Sequence, residues 1–128
     1  MRHGLVPILL SFFAGLINTL PAQQLKFKNY TVNDGLVANS IRRIMQDEKG
    51  FLWIATWEGL SKYDGNKFTN YNTANGLSHN MVNDFFESDN GRLYTATNGG
   101  GFDIIQENRI IQKAAPSSIR VNRFVHFP

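Results

Sequence analysis

The chain has 128 residues, of which 42% are hydrophobic and 18% charged, enough for one globular domain or a piece of one. Net charge is +3 and the basic residues are scattered, with Arg42-Arg43 and Lys26/Lys28 as the short pairs. A nucleic-acid footprint needs a clustered basic face, so no nucleic-acid partner is expected. The absence of cysteine excludes a disulfide frame, a cysteine zinc site and a thiol nucleophile.

Residues 1–22 have the build of a secretory signal peptide. Arg2 and His3 are followed by an apolar run, Leu5 to Leu20, and no acidic residue precedes Asp34. Cleavage after Ala22 would leave Gln23 at the new N-terminus. The rival is a retained membrane anchor, but a run of about 16 residues is short of the ~20 that span a bilayer. Both readings place the remainder outside the cytoplasm.

Beyond this segment the chain repeats itself. "KFKNYTVNDGL" begins at Lys26 and "KFTNYNTANGL" at Lys67, 41 residues later. Aligning 26–58 with 67–99 gives eleven identities, among them Lys26/Lys67, Tyr30/Tyr71, Gly35/Gly76, Asn39/Asn80, Leu52/Leu93 and Thr56/Thr97. The second copy gains one glycine after Thr97, so that Gly59-Leu60 answers to Gly101-Phe102.

Each unit reads as four short strands. In the first, "SIRRIMQ" leads through the turn "DEKG" into "FLWIATW". "LSKYD" then passes through a Gly-Asn turn to "KFTNYN". The second unit runs "MVNDFFE", "RLYTAT", "FDII" and "RIIQ". One pattern points elsewhere. Ile41, Ile44 and Met45, like Val82, Phe85 and Phe86, are spaced i, i+3, i+4, which is also a helical stripe.

Four antiparallel strands at a period of ~40–45 residues are the signature of a β-propeller blade. The expected fold is all-β, a partial β-propeller of about two four-stranded antiparallel blades with flanking strands. The divisions are a signal peptide over 1–22, a lone outer strand and linker over 23–36, blades over 37–73 and 74–114, and the start of a third blade over 115–128. "KFKNY" is a fourth strand that precedes any first strand. It suits the outer edge of a blade completed by the far end of a ring.

The first unit resembles the two-component regulator propeller repeat. The residues that carry the likeness are Gly35-Leu36, the polar run with Asn39 and Ser40, Asp47-x-x-Gly50, the Leu52-Trp53-Ile54-x-Thr56 strand, Gly59-Leu60, and Tyr63 before Asp64-Gly65. The second unit departs from the pattern, with Tyr94 for the tryptophan and Ser88 for the aspartate. The resemblance implies the periplasmic input region of a two-component sensor that continues into further blades and a membrane-anchored histidine kinase. It implies an oligosaccharide or other small ligand, no cofactor, and a homodimer of the complete sensor as a possible assembly. Kinase machinery is not found in these residues.

Ligands of propellers meet the loops from the fourth strand to the next blade and from the second strand to the third. Those loops hold Trp57, Glu58, His79 and Asn98, and Arg42, near the start of the first strand, is a further candidate. An indole stacks on the apolar face of a sugar, a carboxylate accepts hydroxyl hydrogens, and a guanidinium grips a carboxylate in bidentate fashion. The plainer reading is that Trp57 packs against the neighbouring blade and that one of Arg42 and Arg43 is a solvated or inter-blade salt-bridge residue. Asn39, Asn80, Thr56 and Thr97 recur once per unit and are expected to satisfy backbone groups, while the unit glycines are expected at positive φ.

Two other functions fit an exported propeller. One is a lyase or glycan-active enzyme, for which His79 is the candidate base, and the other is a non-catalytic scaffold that binds an exported protein. No metal ligands cluster in the sequence, and "ESDNG" lacks the downstream acid of a calcium loop.

Overall fold

A computed structural model describes residues 24–114 and Arg123. The expected signal peptide and the expected start of a third blade lie outside the described residues. Within them the chain forms two four-stranded antiparallel sheets, each a meander in sequence order. The first contains β1 (Ile41–Gln46), β2 (Leu52–Thr56), β3 (Leu60–Tyr63) and β4 (Phe68–Tyr71). The second contains β5 (Val82–Glu87), β6 (Leu93–Thr97), β7 (Gly101–Gln106) and β8 (Arg109–Ala114).

The helix-like spacing has a strand explanation. Ile41 pairs with Thr56 but Arg43 with Ala55, so two residues of β1 oppose one step of β2. The same irregularity falls between Val82 and Asp84 against Thr97 and Ala96. A bulge shifts the side-chain alternation by one residue. Ile41 and Ile44 therefore share one face of the first blade, and Val82 and Phe85 the matching face of the second.

β5 packs against β1 and β2 of the first blade. Trp53, Ala55, Leu60 and Tyr71 meet Val82, Phe85, Leu93 and Ile105 there, with Leu77 closing the cluster. Burial of these side chains is the main force holding the blades together, about 1.5–3 kcal/mol for each large one. The Trp53 indole lies 5.7 Å from the Tyr71 ring. Its Nε1 donates to Asp47 Oδ2 at 2.8 Å, which ties the core to the β1–β2 turn. Tyr71 is 4% exposed and its hydroxyl has no hydrogen-bond partner among the described residues.

The loops entering the blades are also repeated. Val32–Asp34 and Thr73–Asn75 form single 3₁₀ turns, capped by Thr31 and Asn72 and ended by Gly35 and Gly76 at φ 101° and 113°. Asn39 Oδ1 accepts from Val32 N at 3.0 Å, and Asn80 Oδ1 from Thr73 N at 2.8 Å. β3 and β7 then hold the loops down. Ser61 Oγ accepts from Val37 N at 3.0 Å, and Asp103 Oδ2 from Ser78 N at 2.9 Å. Thr56 and Thr97 donate to the carbonyls of Gly59 and Gly101. The recurrent polar residues thus satisfy backbone groups.

Lys26–Tyr30, expected as a fourth strand, has no strand beside it among the described residues and forms no ladder. Tyr30 nevertheless stacks beside Tyr63 and Phe68, at 5.0 and 5.7 Å between centroids.

Candidate functional site

The meander sends β1 and β3 away from one end of the blades and brings β2 and β4 back to it. The starts of β1 and β5 and the β2–β3 and β6–β7 loops therefore share an end. All five candidate residues stand there. On the first blade, Arg42 is the extra residue of the bulge. Its guanidinium carbon lies 5.1 Å from the Trp57 ring centroid. Trp57 is 52% exposed, and the ring contact it makes among the described residues is with Arg42. Glu58 follows in the same loop, where its backbone N–H donates to Thr56 Oγ1 at 3.1 Å.

Gly59 closes that loop at φ 152°, with the Tyr71 carbonyl against the position a Cβ would take. A side chain there would displace the loop that carries Trp57 and Glu58.

On the second blade, Met81 joins the two candidates. Its N–H donates to His79 Nδ1 at 3.1 Å, and its carbonyl accepts from Asn98 N at 3.0 Å. This acceptor role of Nδ1 puts the ring proton of neutral His79 on Nε2. Arg42, Trp57 and Glu58 form one group and His79 and Asn98 another, and among the described residues no hydrogen bond joins the two. No set of three His, Asp or Glu residues suited to a metal ion occurs among the described residues.

The second arginine of the pair has a different task. Arg43 forms an ion pair with Asp84 across the blade junction. Its guanidinium carbon also lies 5.7 Å from the Phe85 ring centroid. Asp84 was not singled out from the sequence, yet a signal was present. It is the repeat equivalent of Arg43, so that two equivalent positions carry opposite charges.

Grooves lie elsewhere on the described residues, one of them reaching Asn75 and Gly76 of the loop that enters the second blade. That one, of about 530 Å³, runs along the flank between Thr69–Tyr71 of β4 and Arg109–Ile111 of β8. Two smaller ones, about 170 and 290 Å³, flank Lys62 at the opposite end. The Lys62 ammonium lies 3.8 Å from the Phe51 centroid and donates to Asn108 Oδ1 at 2.8 Å. Partial burial there lowers the lysine pKa.

Comparison with known proteins agrees with this architecture. The family described as two component regulator propeller matches residues 35–58. Histidine kinase P4 of Formosa agariphila is 36% identical over 67 residues, covering 52% of this chain and 5% of that protein. A crystal structure from B. thetaiotaomicron, the extracellular domain of a protein described as a hybrid two component system, superposes with a TM-score of 0.58. Identity there is 27%, over 73% of this chain and 13% of that one. The two sheets are blades of a β-propeller. Over residues 35–58 the chain is similar to the two-component regulator propeller repeat, and it spans a small fraction of either relative's length.

Proposed function

We propose that this chain is the N-terminal part of a ligand-sensing propeller of a two-component signalling protein. The propeller is exported to the periplasm and coupled to a membrane-anchored histidine kinase region, which supplies the output. The repeat in the first blade and the two relatives support this reading. The ligand is a carbohydrate, met at the end of the blades that carries Arg42, Trp57 and Glu58.

The observation that carries the site is the exposed indole of Trp57 with a guanidinium on it and a carboxylate next to it. Such a set offers a flat apolar face, a hydrogen-bond acceptor and a cation within one loop and one bulge. Arg42 suits a uronic-acid carboxylate, and Glu58 suits sugar hydroxyls. His79 and Asn98 add polar groups from the second blade.

Titration of the chain with neutral and uronate oligosaccharides, followed by tryptophan fluorescence, tests the reading. Saturable quenching by a uronate, lost in Trp57→Ala and weakened in Arg42→Ala, is the expected result. Binding that survives both substitutions, or no binding by any oligosaccharide, overturns the assignment of this site.

A further inference from the structure

Two side chains in the walls of the flank groove are left unmatched when the blades fold. Tyr71 lines the groove from β4, is 4% exposed, and its hydroxyl meets no acceptor among the described residues. Arg109 lines it from β8 and pairs with no carboxylate among the described residues. No aspartate or glutamate stands in the lining, so the charge there is the arginine's alone.

The repeat explains why Tyr71 lacks a partner. Its equivalent, Tyr30, shares a 2.7 Å hydroxyl-to-hydroxyl hydrogen bond with Tyr63 and lies 5.7 Å from the Phe68 ring. Counted through the extra glycine of the second unit, Tyr63 and Phe68 correspond to Ile105 and Ile110. Ile105 packs in the same core cluster as Tyr71 and offers no acceptor. Ile110 lies over Gly76 as Phe68 lies over Gly35, with less bulk. The second blade thus has an open groove of about 530 Å³ where the first has aromatic rings. Small-molecule sites are of about this size. A buried hydroxyl without an acceptor costs stability, and phenylalanine at 71 would pack without that cost. The hydroxyl therefore calls for a role outside packing.

We propose that this groove binds a small aromatic carboxylate that bears an oxygen acceptor on its ring. The Arg109 guanidinium takes the carboxylate in bidentate fashion. The ring lies against Ile110 and over Gly76, where no side chain rises from the floor. The ring oxygen accepts from the Tyr71 hydroxyl and satisfies it. Each part of the ligand answers a group that the blades leave unmatched. Both walls of the groove are described residues, and none of them is Arg42, Trp57, Glu58, His79 or Asn98. This ligand is therefore separate from the carbohydrate proposed for the other site.

The test titrates para-methoxybenzoate into the full chain and follows the methyl signals of Ile110 and Thr69 by NMR. Benzoate, which lacks the ring oxygen, and para-methoxybenzamide, which lacks the charge, are the comparisons. Saturable shifts with para-methoxybenzoate, binding about fivefold weaker for benzoate, and none for the amide are expected. Arg109→Gln should weaken para-methoxybenzoate at least about tenfold. Tyr71→Phe should bring para-methoxybenzoate down to the affinity of benzoate and leave benzoate itself unchanged. A merely structural role of residue 71 would not give that split. The methyl signals of Val82 and Leu93 report that each variant keeps its core. Absence of saturation, equal binding of the amide, or an unchanged para-methoxybenzoate affinity in either variant overturns the proposal. So does binding that Trp57→Ala abolishes, which would put the ligand at the other site.

Discussion

Arg43 of the first blade and Asp84 of the second are the same position of the repeat, and they form an ion pair with each other. The side chains are 46% and 4% exposed, so the acid is the desolvated partner and the arginine its screen from the apolar junction. Arg43→Ala should lower stability by about 1.5–3 kcal/mol, the range for a hydrogen bond to a charged group. Arg43→Asp with Asp84→Arg should recover part of the loss relative to the two single variants. A double-mutant cycle in urea reads the coupling. No recovery in the double variant would mean that local packing, not charge, sets the preference.

The two tryptophans should behave as opposites. Trp53 is 4% exposed and bonded to Asp47, whereas Trp57 is 52% exposed. Trp53→Ala should cost about 3–5 kcal/mol, as for a large core residue. Trp57→Ala should stay within about 0.5 kcal/mol of the parent. Iodide quenching should reach only the indole that remains in Trp53→Phe.

Tyr71 gives an alkaline signature. Burial pushes its phenol up to about 12 from the ordinary 10.0. The unfolded chain releases this proton near pH 10 and the folded chain keeps it until about 12. Stability therefore falls as pH rises through that window. Tyr71→Phe should remove this part of the fall. At neutral pH it should leave stability equal or higher by up to about 1 kcal/mol, because a buried hydroxyl without a partner is lost. Thermal denaturation at pH 7 and pH 11 measures both effects. A large loss at pH 7 would show that the hydroxyl has a partner in solution.

Two glycines separate backbone strain from collision. Gly65 has φ 95° with open space around a Cβ, so Gly65→Ala should cost about 1–2 kcal/mol. Gly59→Ala adds a collision with the Tyr71 carbonyl and should cost more. The loss of any ligand response in Gly59→Ala, and its retention in Gly65→Ala, would place the β2–β3 loop at the binding end.

Much of this architecture was legible because the repeat states it twice. All eight strands are where alternation and turn residues put them. The unit glycines at 35, 50, 59, 65, 76, 91 and 101 all have positive φ. The spacing of Ile41 and Ile44 was ambiguous because a bulge and a helix both bring residues three apart onto one face, and sequence alone does not choose between them. The departures at Ser88 and Tyr94 looked like two separate changes. In the first blade their equivalents Asp47 and Trp53 are hydrogen-bonded to each other, so a single interaction has been replaced. Tyr94 in turn is half-buried and stacks on Phe86 at 4.9 Å.

The candidate site was legible in part. Arg42 and Trp57 stand at the same end because the start of β1 and the end of β2 meet there, a placement that the order of strands makes readable. The bond from Met81 to His79 was not foreseen, because an apolar residue contributes there only through its backbone. Nor did the pattern reveal which arginine would turn outward. The bulge decides it, leaving Arg42 beside the indole and committing Arg43 to the junction.

The paired anchors of the entry loops bear on how this end of the molecule can change. Asn39 and Asn80 hold the 3₁₀ turns, and Ser61 and Asp103 pin the segments that follow. A rim fixed at so many backbone atoms leaves rotation of a few side chains as the chief freedom that a bound molecule would quench. If positions 42, 57 and 58 meet the ligand as proposed, new specificities can arise by substitution there alone, with the scaffold beneath them inherited unchanged.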